Sequence, residues 1–289
     1  MTEPMPLAAA LAPGRVVAER YELEEPHRQG GLSVAFTAGD RTNGDACEVQ
    51  AFSAGLFDGA EQAQQFARDF EGWKRLDTPR VARVREVVVE GPTAFVACDL
   101  PAGDSLRTLL DRRGDEPVGV ARVVEIGREA ALALEELHAA GLVHGDLKPS
   151  AVWIDGPRVT LVDGGTTPSL WTAKGMGERT ALIGTPYYAP IEQFGGEAPD
   201  ANSDVYNLCT LLFEVATGVQ PFAGSNFLEV FQSKLAPEPP TFAQRRPGLE
   251  GRGPLEQVIR RGLFADAKRR YASARQLRTA LESLAGGSA

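Results

Sequence analysis

No lysine occurs before Lys74, and the 289-residue chain holds only five among its thirty basic residues. Any chemistry that needs an ammonium group in the first 73 residues is therefore excluded under every alignment. Cysteine is scarce too. Cys47, Cys98 and Cys209 stand far apart without metal-ligand spacing, so they read as buried, reduced thiols rather than a disulfide framework. No apolar run approaches the roughly 18 residues of a membrane span. Basic charge is in deficit, 30 groups against 39 acidic ones, for a net charge of −9. That balance argues against nucleic acid or an anionic membrane as the main partner. The hydrophobic fraction, 43%, is that of an ordinary globular chain. These absences together suggest a cytoplasmic protein.

The remaining pattern changes character along the chain. Met1 to Pro13 carries Glu3 where a secretory leader needs positive charge, and residues 1–13 read as a disordered tail. From Arg20 to Asp99 period-two alternation dominates: Tyr21 and Leu23, Val34 and Phe36, Cys47 with Val49 and Ala51, then Val81 to Val89 and Ala94 to Ala97. One helix interrupts these strands, with Phe66, Phe70, Trp73 and Leu76 on a single face. After Pro101-Ala102-Gly103 the period becomes helical. Val123, Ile126, Ala130, Leu134 and Leu137 form a stripe that Gly141 ends. Val205, Leu208, Leu212 and Val215 lie in a segment apolar nearly all round, as a central buried helix requires. Leu235 to Pro254 reads as a connection, and helices near Leu255–Leu263 and Ser273–Leu284 close the chain before a tail at 286–289. The expected architecture is α+β. A β-rich lobe over 14–100 and a helical lobe over 101–285 would meet at a cleft.

Four motifs then appear in order. Leu142-Val143-His144-Gly145-Asp146-Leu147-Lys148-Pro149 is followed by Gly184-Thr185-Pro186-Tyr187-Tyr188-Ala189-Pro190-Ile191-Glu192-Gln193, by Ser203-Asp204-Val205-Tyr206-Asn207-Leu208, and by Asp266-Ala267-Lys268-Arg269-Arg270-Tyr271. Pro13-Gly14-Arg15 with Arg20-Tyr21 precedes them. In this order and spacing the chain resembles the bacterial serine/threonine protein kinases over about Pro13 to Leu284. Aminoglycoside-type phosphotransferases share the His-Gly-Asp run but lack the activation segment and its closing Pro-x-Glu. The resemblance implies a bilobal kinase-like fold. It also implies architectural roles for Asp204, accepting catalytic-loop N–H groups, and for Glu192 and Arg270 as a buried ion pair. His138 and His144 read as packed residues.

The resemblance also marks what is missing. Asp146 matches the base that takes the substrate hydroxyl proton, Lys148 follows it, and Asp163 matches the magnesium-binding Asp, but Ala151 stands where a second metal ligand belongs. Gln50 occupies the place of the phosphate-positioning lysine. Of three glycines that cradle phosphates, only Gly30 remains between Arg28 and Ser33, which reads better as a hairpin turn. Arg28 is then a surface charge, or a substitute cation reaching the cleft. Glu48, Ala97 and Trp153 fall around the adenine slot. A carboxylate at 48 would be desolvated there without an evident partner. Gly164 replaces a lobe-bridging aromatic, and the expectation is that Trp73, four residues after the helix acid Asp69, fills the space. Gly145 replaces the arginine that would receive a phosphate on Thr166, Thr172 or Thr180. Asp146, Lys148 and Thr185 are placed to bond one another and order the loop.

These departures point to a catalytically impaired, kinase-like regulatory or scaffolding module. It would act through a protein partner, such as an active kinase or a pathway component, without tight ATP–magnesium binding or another cofactor. The alternative is a slow or unconventional serine/threonine kinase using Asp146 and Asp163. A third reading is a nucleotide-sensing switch without turnover.

Overall fold

The computed structural model describes residues 11–30, 32–52, 54–91, 93–114, 116–175, 184–249 and 252–285. Thr180, Gly31 and the tail residues 1–10 and 286–289 lie outside the described residues. The chain divides into two compact units. One comprises the chain up to Pro101 together with Thr172–Lys174, and the other comprises Ala102–Trp171 and the chain from Gly175 onward.

The first unit is β-rich. Strands β1 (Val16–Val17), β2 (Tyr21–Gln29), β3 (Ser33–Asp40) and β4 (Ala46–Phe52) lead to helices α1 (Ala60–Asp69) and α2 (Glu71–Lys74), then to β5 (Val84–Glu90) and β6 (Thr93–Asp99). The six strands form one antiparallel sheet in the order β1-β2-β3-β4-β6-β5. Period-two alternation sorts the side chains into two faces. Val34, Phe36, Cys47, Val49, Ala51, Phe95 and Ala97 pack together on one. Glu48 and Gln50 alternate with Val49 and therefore lie on the other.

Three expectations change here. Leu11, assigned to a disordered tail, is 4% exposed and packs into the cluster with Val17 and Tyr21, because its apolar side chain covers the sheet. The single helix is broken at Phe70, just before the poor helix former Gly72. Even so, Phe66, Phe70 and Trp73 stay buried as a chain of touching rings, with Trp73 4% exposed. Ala97 packs with Val49, not on the Glu48 side. Cys98 is the β6 residue paired with Glu48.

The second unit is helical. It contains β7 (Asp104–Ser105), α3 (Leu106–Arg113), α4 (Val120–Ala139), β8 (Val152–Asp155), β9 (Arg158–Leu161), α5 (Thr166–Ala173, through Trp171), α6 (Ile191–Phe194), α7 (Ala201–Thr217), α8 (Phe227–Lys234), α9 (Phe242–Arg245), α10 (Gly253–Arg261) and α11 (Ala274–Ala285). The stripe from Val123 to Leu137 buries α4 against α7 and α11. Gly141, with φ +73°, stops it as expected. Helix α7 is buried on all sides from Ser203 to Thr217. The Asp200–Ser203 capping box starts it and left-handed Gly218 ends it. The Leu235–Pro254 connection contains α9, whose Thr241–Gln244 capping box was a readable signal. Strands β7, β8 and β9 make a small antiparallel sheet beside the loop at 144–151.

Candidate functional site

Within the helical unit, the loop after α4 is held from below by Asp204 in the first turn of α7. Its Oδ1 accepts the Gly145 N–H at 2.7 Å and its Oδ2 the His144 N–H at 2.9 Å. His138, on α4, adds its Nε2 to the same Oδ2 at 2.9 Å. Asp204 is fully buried, so these contacts replace its lost hydration. His144, also fully buried, bonds the Val162 carbonyl through Nε2 at 2.9 Å. Both histidines are packed, hydrogen-bonded residues, as expected.

Asp146, Lys148 and Thr185 come together. The Thr185 N–H donates to Asp146 Oδ1 at 3.0 Å and its hydroxyl to Oδ2 at 3.3 Å. Lys148 Nζ donates to Thr185 Oγ1 at 2.9 Å and forms a close ion pair with Asp146. The carboxylate that matches the family's base thus bonds both Thr185 and Lys148, as their placement in the sequence suggested. Ala151 is wholly buried, and its Cβ provides no oxygen where a second metal ligand was sought. Asp163 adopts φ +64°, a left-handed conformation that Asp tolerates better than most residues. Trp153 lies half-buried on β8, between Ser105 of β7 and Thr160 of β9.

Farther down this unit Arg270 and Glu192 form the expected ion pair, bidentate at 2.6 and 2.9 Å. Arg270 also donates to the carbonyls of Phe264 and Ala265 and to Asn202 Oδ1. All its donors are used, which is the condition for burying a guanidinium. Its role is to tie α6 to the segment before α11.

Glu214 and Lys234 are among the buried polar groups that the sequence reading did not single out. Glu214 of α7 is 6% exposed; it accepts from Arg107 Nη1 at 2.8 Å and pairs closely with the Tyr188 hydroxyl. Burial, with the Glu214 charge, pushes the Tyr188 phenol up. Lys234 of α8 is 2% exposed and lies over the rings of Phe222 and Tyr206 at 4.6 and 5.1 Å. Its Nζ donates to the Tyr187 carbonyl at 3.0 Å and the Tyr206 hydroxyl at 3.3 Å. Burial, aided by the Arg270 charge, holds its ammonium down to about 7. The available signal for each was a charge inside an apolar helical run.

In the β-rich unit, Glu48 is 1% exposed and not partnerless. Arg28 on β2 reaches across β3 to it, donating from Nε at 3.0 Å and making a closer contact from Nη2. His27 Nε2 lies 2.8 Å from the same carboxylate, and the Cys98 thiol points at Oε1 from 3.8 Å. Arg28, with 15% of its side chain exposed, is therefore neither a free surface charge nor a spare cation. The β2–β3 turn closes with Gly30 N–H bonded to the Ser33 carbonyl at 2.9 Å, as in a hairpin. Gln50 is 5% exposed beside Glu48 on β4, opposite Val96 of β6. Asp69 has its Oδ1 bonded to Gln65 Nε2 at 2.9 Å, while its Oδ2 is buried without a hydrogen-bond partner. Burial accordingly raises its carboxyl above the usual range. Among the described residues no cluster of three His, Cys, Asp or Glu side chains is placed to hold a metal ion, and no helix is long and apolar enough to cross a membrane.

Comparison with known proteins identifies the family and the fold. The protein kinase domain family matches residues 21–277. The chain is 27% identical to the serine/threonine-protein kinase pkn3 of Myxococcus xanthus, covering 94% of this chain and 51% of that protein. It is 28% identical to the serine/threonine-protein kinase PknB of Mycobacterium tuberculosis over 94% of this chain and 44% of the relative. It is 30% identical to PkaA of Streptomyces coelicolor over 86% and 47%. The chain thus spans about half the length of these relatives. Among solved structures, the Mycobacterium tuberculosis PknI kinase domain superimposes with a TM-score of 0.73 at 22% identity, over 94% of this chain and 98% of that one. With a β-sheet lobe, a helical lobe and a family match over nearly its whole folded length, the chain belongs to the protein kinase domain family.

Proposed function

We propose that this chain is a catalytically impaired kinase domain that works by binding another protein. The observation that carries the reading is the Arg28–Glu48 pair beside Gln50. Phosphoryl transfer is mostly positioning and charge neutralisation, so each missing part corresponds to a lost physical service. On β4 the phosphate-positioning ammonium is replaced by the neutral amide of Gln50. The place where the family presents a small apolar residue to adenine holds a carboxylate, and the cation nearest that carboxylate is already bound to it. In the helical unit, Ala151 contributes no metal ligand, and Asp163 alone makes a poor magnesium site. The residues present do not fit magnesium–ATP.

The expected loss is large. Removing one preorganised electrostatic group costs on the order of 10²–10³ in rate. Losing two, discounted for non-additivity, leaves roughly 10⁻³ to 10⁻⁵ of a typical turnover of about 1–100 s⁻¹.

The intact arrangement of Asp146, Lys148 and Thr185 favours a second reading, a slow serine/threonine kinase. Transfer of radiolabelled phosphate from ATP, with magnesium or manganese, separates the two. The proposal expects no transfer above background and no difference between the wild type and Asp146→Ala. Transfer that Asp146→Ala abolishes establishes the alternative.

A further inference from the structure

Gly145 is confined by its neighbours. Its φ of +82° is left-handed, and a Cβ built on it would stand 2.6 Å from Cδ and 2.7 Å from Cγ of Pro168, with Pro199 Cγ at 3.3 Å. Any larger residue here meets both backbone strain and the Pro168 ring. Pro168 sits in the first turn of α5, where a missing N–H costs nothing because the helix has no partner for it.

The rest of this segment is tied down at both ends. The Gly165 N–H bonds the His144 carbonyl at 3.1 Å, and the Gly165 carbonyl accepts the Ser169 N–H at 3.0 Å. At the far end Trp171 Nε1 donates to the Gly196 carbonyl at 3.0 Å. Between them Thr166, Thr167, Ser169 and Leu170 are at most 9% exposed. The three hydroxyls are out of reach of a modifying enzyme unless the helix melts. Lys148, the cation of the 144–151 loop, is already committed to Asp146 and Thr185.

We propose that Pro168 seated on Gly145 is a phosphate-independent latch, which holds residues 166–171 in one conformation against the loop at 144–148. A ring packed on a bare backbone does the work that a cation–phosphate contact would otherwise do. The segment's conformation is then set by folding and is not switched by modification. The latch holds whether or not the chain transfers phosphate.

Hydrogen exchange on the full chain, read by mass spectrometry over peptides covering 164–171, tests this. Pro168 stands in the first turn, where Ala serves at least as well, so a helix standing on its own would exchange no faster in that variant. The latch predicts the opposite: exchange about tenfold or more faster over 166–171, with the midpoint of chemical unfolding little changed. Trp171→Phe, which removes only the clamp at Gly196, gives a smaller acceleration of the same peptides and decides the matter if Pro168→Ala proves poorly folded. Thr172→Glu, which places negative charge on the exposed end of the segment, leaves the pattern unchanged. Unchanged or slower exchange in a folded Pro168→Ala, wild-type exchange in Trp171→Phe where Pro168→Ala is poorly folded, or a reordering of 164–171 by Thr172→Glu would each overturn the latch.

Discussion

Arg28 on β2 reaches across the intervening strand β3 to hold the buried carboxylate of Glu48 on β4, with Nε 3.0 Å from Oε2. The pair joins two strands that are not neighbours, on the sheet face that also carries Gln50. It gives each charge the partner it needs in a place where neither is well solvated.

Removing one partner should therefore cost more than removing both. Arg28→Ala leaves Glu48 with only His27 and the Cys98 thiol, and is expected to destabilise the fold by about 3 kcal/mol. Replacing both, as in Arg28→Met with Glu48→Leu, should cost less than either single change. Denaturant midpoints at constant m-value measure this, and a double variant weaker than Arg28→Ala alone contradicts it.

Restoring single family residues should not restore nucleotide binding. Gln50→Lys supplies an ammonium but leaves Glu48 and Ala151 in place. We expect Gln50→Lys to show no ATP–magnesium thermal shift, and the combination Gln50→Lys, Glu48→Ala, Ala151→Asn to show one. A shift in Gln50→Lys alone would mean that the lysine was the one missing part.

Asp146 is expected to be worth stability rather than rate. Asp146→Ala leaves the Thr185 N–H and Lys148 Nζ without their acceptor, and about 1–3 kcal/mol should be lost. Asp204→Ala, which strips acceptors from His144, Gly145 and His138, should cost more. Thermal melts rank the two, and an Asp146→Ala protein as stable as the wild type would remove the structural explanation for that residue.

Lys234 makes stability depend on pH in an unusual direction. Its folded-state value is lowered to about 7 by burial, against 10.5 in the unfolded chain. Above 10.5 both states are neutral and the group contributes nothing. Between about 7 and 10.5 the unfolded chain binds a proton that the fold does not, so stability rises with pH across this window. Below about 7 both states are charged and the penalty, of order a few kcal/mol, is complete and constant. The difference in unfolding free energy between the wild type and Lys234→Met, followed from about pH 6 to 10, should rise through this window. A flat difference contradicts it.

The fold was legible because its motifs fix chain positions. Asp204, Glu192 and Arg270 make the contacts their motifs implied, since each is an architectural bond that survives any change of chemistry. Substitutions such as Gln50 and Ala151 were legible too, because they need only register. What the sequence hid were bonds between positions it does not place together. Arg28 and Glu48 meet only because β3 sets the distance between β2 and β4. Pro168 meets Gly145 only because an unanticipated helix follows Asp163-Gly164-Gly165. Ala97 was misplaced by one residue, which in a strand exchanges the two faces. Lys234 and Glu214 were passed over because a charge on an apolar helix shows its partner only in three dimensions.

On the proposed function, the chain does not bind magnesium–ATP as a working kinase does. Titration calorimetry of the wild-type chain with ATP, with and without magnesium, tests it most directly. No saturable, magnesium-dependent heat is expected at ATP concentrations up to about 1 mM. A low-micromolar dissociation constant that requires magnesium would contradict it.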